Sequence, residues 1–353
     1  MSRSADPVRL PLAPRLFRKT PAEVLSTGPF LVTAFRYASG VAALRIAHDV
    51  GDIVVLPFQG QQIWDARFHG RRLTMRSTFT EPVRTTEYMR NNGAYLIHCG
   101  GSAMGRPGPA DVHAPHGELP NARHRDVVLV VTPGDPLTLR IEGGFVSATG
   151  FGPYFGVRTS VTMTAGSALL DSRVEITNLS GEPRPLMYLA HLNFRPAIGG
   201  RIDDHPATPP AEAGPASVVD VLDPDVRVEP ELVRILPGST RGAPIRTAQV
   251  HRDGSADIVE HDSPDLTHLL RWLRRTADDQ AYGFALPATA GPDGFTAEDA
   301  RGNVRRYPPG GRLVAVFRHG MVTDWARHRA APPVLVEIDV PAVRSLTPAM
   351  TAP

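Results

Sequence analysis

The densest group of side chains that could carry out acid–base chemistry lies between residues 98 and 121. It contains His98, His113, His116 and Glu118 in a run rich in glycine and proline. Histidine has the ordinary side-chain pKa closest to neutral, so histidines beside carboxylates can transfer protons or bind a metal. A proline and a glycine flank His116 closely, and polar residues on such turns are common site material. We therefore expect a functional role for His116 and an ordinary loop position for His113.

The same run has the residue types of a metal site in His113, His116 and Glu118. Alternate residues of a strand face the same side, so two histidines three positions apart point to opposite faces of a regular strand. This spacing speaks against shared coordination. We predict no metal and no cofactor, and a metal site at these three residues stays open as an alternative.

A second candidate histidine lies in the apolar segment around His191 and Asn193. On a strand these two side chains share one face, and that face is otherwise apolar. Polar groups on such a face need a partner or a ligand. Two interpretations stay open: a histidine satisfied within the core, or one that contacts a ligand.

Three further side chains suit the recognition of a sugar. An indole such as that of Trp64 packs against the apolar face of a sugar ring, and the groups of Gln62 and Arg76 can bond its hydroxyls. Late in the chain, Glu298 is a possible carboxylate partner. The alternative is that all of these residues only pack or face solvent.

Short segments of alternating apolar and polar residues, separated by Gly, Pro, Asn and Asp turns, predict an all-β fold with few short helices. These segments are 30–37, 127–131, 137–141, 157–164, 169–177, 312–317 and 334–338. Their spacing is typical of an antiparallel sandwich. Residues 266–275 show the best helical spacing, although they could equally be a buried strand.

The division of the chain follows from the same pattern. We predict an N-terminal extension over residues 1–20, one β-sandwich domain over 21–341 and a C-terminal tail over 342–353. The segment 206–215, rich in Ala and Pro, is predicted to be a surface excursion.

Composition excludes several chemistries. Lys19 is the one lysine among 38 basic residues, which disfavours Schiff-base, pyridoxal-phosphate and P-loop mechanisms. Cys99 is the one cysteine, so an intrachain disulfide and a CxxC metal site are both impossible. The net charge of +2 comes without a basic run, which argues against nucleic acid. Without a long apolar run or a signal-like N-terminus, we expect no membrane contact and a cytoplasmic protein.

Taken in order, these segments resemble the galactose mutarotase-like superfamily, which comprises the aldose 1-epimerases and their relatives. The resemblance covers roughly residues 28–340. It rests on Gly60-Gln-Gln-Ile-Trp64, Arg76, His116-Gly117, Asn178, Tyr188-x-x-His191-x-Asn193-Phe194 and Tyr282-Gly283…Leu286-Pro287.

The resemblance implies a large antiparallel β-supersandwich that binds a free sugar in a cleft. One histidine then acts as general acid and a glutamate as general base on the anomeric hydroxyl. By position, His191 corresponds to the acid, while His116 and Arg76 correspond to groups that hold oxygens. Leu286 stands where the family has its glutamate, so Glu118 and Glu298 become the candidate bases.

The function predicted from the sequence is therefore that of an aldose 1-epimerase-like protein that interconverts the anomers of a hexose or modified sugar. The expected contacts to the sugar are Arg76, Gln62, Trp64, Asn193 and His98. One alternative is a carbohydrate-binding protein without catalysis, and another is a metal-dependent sugar isomerase that uses His113, His116 and Glu118. The expected partner is a small-molecule sugar, and the expected assembly is a monomer or homodimer.

Overall fold

A computed structural model of the protein describes residues 6–205, 226–238 and 244–333. The strands in these ranges are, in chain order, β1 (Val8–Pro11), β2 (Ala22–Thr27), β3 (Phe30–Arg36), β4 (Ala42–His48), β5 (Gly51–Val55), β6 (Ile63–Phe68), β7 (Arg71–Arg72), β8 (Leu96–Gly101), β9 (Arg125–Thr132), β10 (Thr138–Ala148), β11 (Tyr154–Thr164), β12 (Leu169–Asn178), β13 (Arg184–Pro185), β14 (Met187–Leu192), β15 (Arg201–His205), β16 (Val228–Pro237), β17 (Ile245–Val250), β18 (Ala256–His261), β19 (His268–Arg275), β20 (Gln280–Ala288), β21 (Arg306–Tyr307) and β22 (Arg312–Val322). The helices are α1 (Phe295–Ala300) and α2 (Trp325–Ala330), with 3-10 turns at Pro14–Leu16 and Tyr88–Arg90.

Two large antiparallel sheets contain nearly all of these strands. The first has the order β1-β9-β10-β11-β12-β22-β18-β17-β15, and the second has the order β16-β19-β20-β14-β8-β6-β5-β4-β3-β2, with β7 paired to β6. The short strands β13 and β21 pair with each other. The prediction of an all-β antiparallel sandwich with few short helices is confirmed.

The sheets pack face to face because each presents one apolar face to the other. On β22, Leu313, Ala315 and Phe317 are fully buried, while the residues between them are partly exposed. The ring of Phe317 lies 6.5 Å from that of Tyr188 on β14 in the opposite sheet. The alternation that predicted the strands therefore also forms the core between the sheets.

The helix predicted at residues 266–275 is wrong, and the alternative of a buried strand is right. The segment forms β19, paired with β16 on one side and β20 on the other. Five consecutive residues, Leu269 to Leu273, are buried. A strand buried on both faces gives a continuous apolar run, which periodicity does not separate from a short helix.

At the N-terminus, part of the predicted extension belongs to the fold. Val8–Pro11 pairs with β9, and the side chains of Leu12 and Phe17 join the core. The predicted segments 206–215 and 334–338 and the tail 342–353 lie outside the described residues. The domain boundaries stay predictions. Neither helix in the described ranges has the length and apolar character that a membrane crossing requires.

Four histidines, His98, His124, His261 and His319, are buried within the fold away from solvent. His98 Nδ1 lies 2.7 Å from a tyrosine hydroxyl, and the two ring nitrogens of His319 lie 3.1 and 2.8 Å from a tyrosine and a serine hydroxyl. Neither ring nitrogen of His261 has a hydrogen-bond partner among the described residues. Burial lowers the pKa of His98 and His319 to about 3 and that of His124 and His261 to about 4.

These pKa values predict that acid destabilises the fold. An unfolded histidine binds a proton near pH 6.5, whereas the buried ones stay neutral until pH 3 to 4, so stability falls as the pH drops below about 6.5. At pH 5.5 the loss approaches about 1.4 kcal/mol for each such histidine. In His261→Leu, the difference in unfolding free energy between pH 7.5 and 5.5, measured with urea, should shrink by about that amount.

The exposed His205 provides the control, since His205→Leu should leave the pH dependence unchanged. An unaltered pH dependence in His261→Leu would contradict the interpretation.

Candidate functional site

The pairing of β8 with β14 places two of the predicted site histidines on opposite faces of one sheet. His98 is the register partner of Ala190, and His191 is the register partner of Ile97. Because Ala190 and His191 are consecutive, their side chains point to opposite sides. His98 faces the interior, where it meets Tyr188. The structure therefore does not bring His98, predicted to contact the sugar, together with His191.

On the other face of that sheet, the structure brings His116 and His191 together. Their ring centroids are 5.4 Å apart, edge to face. The ring of Tyr88 lies 4.4 Å from that of His116, and the ring of Trp272 lies 5.2 Å from that of His191. These four side chains and Glu231, described below, are named the paired-histidine site.

Asn193 fixes the tautomer of His191. Its Oδ1 lies 2.7 Å from His191 Nδ1, while its Nδ2 donates to the carbonyl of Ala94 at 2.9 Å. The second bond sets the orientation of the amide, so Oδ1 can only accept. His191 Nδ1 therefore carries the proton, and Nε2 of the neutral ring keeps its lone pair. The predicted shared face of His191 and Asn193 is seen directly in this bond.

A tight turn holds His116. Its backbone has φ +61°, a left-handed conformation uncommon outside glycine, and Gly117 follows with φ +75°. The amide of Gly100 donates to the carbonyl of His116 at 2.8 Å. A Cβ on Gly117 would clash with the carbonyl oxygens of Ala103 and Gly100. A strained backbone conformation of this kind is kept only where the surrounding contacts hold it in place. Such conformations are common at functional sites.

Gln62, predicted to contact the sugar, instead lies in a buried network of side-chain amides. Its Nε2 donates to the carbonyl of Pro120 at 2.6 Å and to Oδ1 of Asn121 at 3.1 Å. Asn91 donates to Gln62 Oε1 at 3.2 Å. Since Asn91 follows the turn that bears Tyr88, the network ties that turn to the loop after His116.

Two buried polar atoms of the site lack hydrogen-bond partners among the described residues. They are Nδ1 of His116 and the hydroxyl of Tyr88. Leaving a buried donor or acceptor unpaired costs about 1–3 kcal/mol. Such atoms are where a ligand with hydroxyl groups would gain hydrogen bonds without displacing others.

Burial keeps the groups of the site uncharged at neutral pH. It lowers the pKa of His191 to about 4, against the opposing effects of Asn193 and Glu231. The pKa of His116 is lowered to about 3 by burial and then by His191 and Arg106. Burial raises the pKa of the Tyr88 phenol well above its usual value. The site thus presents two neutral imidazoles and one protonated phenol.

Glu231 on β16 supplies a carboxylate that the sequence did not reveal. Its Oε2 accepts a hydrogen bond from Trp272 Nε1 at 2.8 Å, and its Oε1 accepts one from Arg106 at 2.6 Å. Its charge favours the protonated form of His191. Nothing in the spacing of residues 191, 231 and 272 signals their proximity. A helix over residues 266–275 would also not have placed Trp272 on the strand that faces His191.

The two predicted carboxylates have other partners. Glu118 accepts hydrogen bonds from the amide of Ser102 at 3.0 Å and from its hydroxyl. Glu298 is fully buried on α1 and accepts from the amide of Gly291 at 2.9 Å. Among the described residues, no hydrogen bond joins either carboxylate to the paired-histidine site.

The alternative metal site finds no support. In the part of the chain that the structure describes, no three His, Cys, Asp or Glu side chains are grouped to hold a metal ion. Nε2 of His113 accepts the Phe295 amide at 3.3 Å, while Glu118 is bound to Ser102. His113, His116 and Glu118 therefore serve separate contacts.

The remaining predicted residues differ in position. Trp64 is buried in the core with 5% exposure. Arg76 is exposed, and its backbone pairs with that of Gln280. Leu286, at the position where the resemblance expects a glutamate, is a core residue packed against Gly283, which is the register partner of Trp272.

Comparisons with known proteins agree with this architecture. The model of the family described as Domain of unknown function (DUF4432) matches residues 38–315. A protein described as a "putative aldose 1-epimerase" from Klebsiella pneumoniae has a similar structure, with a TM-score of 0.79, 17% identity and coverage of 92% of this chain and 94% of that chain. A galactose mutarotase-like protein from Clostridium acetobutylicum has a TM-score of 0.57, 12% identity and coverage of 83% and 99%. No curated protein matches. At these identities the structures share the fold.

The turn at His116 yields a prediction with a matched control. Gly117 and Gly166 both have φ +75°, but only Gly117 lies where a Cβ would clash, since Gly166 has no atom within 4 Å of that position. Gly117→Ala should therefore lower the unfolding free energy by about 1–3 kcal/mol more than Gly166→Ala. It should also shift the imidazole NMR signals of His116, which Gly166→Ala should leave in place. Equal destabilisation with unmoved signals would show that the turn does not depend on Gly117.

Proposed function

The chain belongs to the family of the Domain of unknown function (DUF4432) and has a galactose mutarotase-like fold, and from this we propose that it is a carbohydrate-active protein of the aldose 1-epimerase type. Its substrate would be a free hexose or modified sugar, whose anomers it interconverts. The observation that carries the proposal is the pair of neutral imidazoles of His116 and His191, 5.4 Å apart beside a buried phenol.

Neutral imidazoles suit an exchange of protons with a sugar. In the proposed reaction, His191 Nε2 accepts the proton of the anomeric hydroxyl and becomes an imidazolium, while the N–H of the neutral His116 ring donates a hydrogen bond to the ring oxygen. The bond between the anomeric carbon and the ring oxygen breaks as the carbonyl forms, and the imidazolium then passes its proton to the ring oxygen. After rotation of the carbonyl, closure runs these steps in reverse and gives the other anomer, so atoms and charges balance.

Glu231 would assist this transfer without taking the proton itself. When His191 accepts a proton it becomes an imidazolium, and the carboxylate of Glu231 favours that charged form. Trp272 holds the carboxylate in place through its indole N–H. The Tyr88 hydroxyl is buried and has no hydrogen-bond partner among the described residues, so it is available to bond a sugar hydroxyl.

This assignment departs from what the family resemblance implies. There His191 acts as the acid, and a glutamate at the position of Leu286 acts as the base. In this chain the bond from Nδ1 to Asn193 and the pKa of about 4 leave His191 with a free lone pair at neutral pH. We therefore assign His191 the role of base, with Glu231 in place of Glu118 or Glu298 as its carboxylate.

A second candidate function is sugar binding without catalysis, and the apolar side chain of Leu286 favours it. The two functions differ in one measurement. A binding protein would show saturable sugar binding with no acceleration of anomer exchange.

His191 provides the direct test of catalysis. Saturation-transfer NMR across a panel of reducing sugars should show accelerated anomer exchange for at least one of them. His191→Gln, which keeps a polar group near Asn193 but no proton acceptor of similar basicity, should lower this rate by about 10²–10⁴-fold. His113→Gln alters a histidine outside the site and should retain the rate. Sugar binding with no exchange in the wild-type protein would select the binding function instead.

Glu231 provides the test of the electrostatic role. Removing its charge in Glu231→Gln should lower the pKa of His191 further and weaken it as a base. We expect the exchange rate at pH 7 to fall by about a few-fold, because a less basic His191 accepts the anomeric proton more slowly. Glu229→Gln on the same strand removes a solvent-exposed carboxylate and is the matched control. Equal rates in the two variants would remove Glu231 from the mechanism.

A further inference from the structure

We propose that a cavity lined by the loop that bears His113, by β11 and by the start of α1 is a second binding site, for a small molecule that joins an apolar ring to a carboxylate. The cavity has a volume of about 310 Å³ and is open to solvent. This lies at the small end of the range for ligand pockets, roughly 300–1,000 Å³. None of the residues of the paired-histidine site lines it, so the inference goes beyond the proposed function and does not rest on it.

The walls of the cavity are largely apolar. Phe155 on β11 and Leu186, just before β14, present almost fully buried side chains, and the partly buried Phe295 at the start of α1 joins them in the lining. Ala103 adds a small side chain that leaves room. A flat apolar ring in this cavity would gain roughly 25 cal/mol for each Å² of apolar surface removed from water, most of it the surface of the ring itself.

Most polar groups of the lining already have partners within the protein. The carboxylate of Asp111 accepts the Thr296 hydroxyl at 2.6 Å and the Gly108 amide at 2.8 Å. Nδ1 of His113 donates to a carbonyl at 2.9 Å, and its Nε2 accepts the Phe295 amide. These groups therefore shape the cavity and leave little capacity for a ligand.

Two groups keep that capacity, and both can donate. Nε of Arg184 is buried without a hydrogen-bond partner among the described residues, and its terminal nitrogen lies 3.6 Å from Glu182, at the solvent-exposed side. Tyr154, an exposed residue of the lining, adds a phenolic hydroxyl. A guanidinium has five N–H donors and no acceptor, and it binds a carboxylate through two parallel bonds. These donors of the lining thus favour an anionic ligand over a neutral one.

Benzoate is the probe, because it carries one ring and one carboxylate. Titration followed by NMR or calorimetry should give saturable binding with one site per chain. Benzyl alcohol, which has a similar shape without the charge, should bind at least tenfold more weakly, as should acetate, which lacks the ring. Arg184→Gln should weaken benzoate binding at least tenfold, whereas Arg45→Gln, which removes an exposed ion pair elsewhere, should leave it unchanged.

A second variant separates loss of binding from loss of folding. Ala110 lines the cavity and is exposed, so Ala110→Trp fills the space without entering the core. It should abolish benzoate binding while retaining the circular dichroism spectrum of the wild type. His191→Gln should bind benzoate as the wild type does, which keeps this site distinct from the proposed catalytic one. Absent benzoate binding, equal affinity for benzyl alcohol, or undiminished affinity in Arg184→Gln or Ala110→Trp would each overturn the proposal.

Discussion

β8 and β14 pair antiparallel in the middle of the eleven-stranded sheet, with Ala190 opposite His98 and His191 opposite Ile97. A slip of one residue would turn every side chain of a strand to the other face. His98 would then leave its bond with Tyr188, and His191 would enter the apolar core. Both the packing inside the sandwich and the geometry of the paired-histidine site therefore depend on this register.

Burial acts on both groups of histidines, yet with different consequences. Inside the sandwich, His319 has hydrogen-bond partners on both ring nitrogens, so its neutrality serves packing alone. At the site, burial keeps His116 and His191 neutral, and Nδ1 of His116 has no hydrogen-bond partner in the part of the chain that the structure describes. An unpaired nitrogen alone does not separate the two groups, because both ring nitrogens of the core histidine His261 also lack partners among the described residues. What sets His116 apart is its place beside the rings of Tyr88 and His191.

The sequence predicted what depends on local alternation and little of what depends on register between distant strands. Segments of period two gave the sandwich, and the common face of His191 and Asn193 followed from the same rule. The sequence did not predict Trp272 and Glu231 as site residues, because their strands meet only through the pairing of β16 with β19. The amide network of Gln62 was not predicted either, since the partners of Gln62 lie 29 to 59 residues away along the chain.

The carboxylate near His191 lies on a different strand from the one that the family resemblance implies. β19 lies between β20, which bears Leu286, and β16, which bears Glu231. Trp272 on β19 reaches toward His191 with its ring and donates its N–H to Glu231. A carboxylate on either of the two strands that flank β19 can thus lie on the side of the sheet that bears His191. In the proposed function, Glu231 on β16 would thus supply the negative charge that Leu286 on β20 cannot.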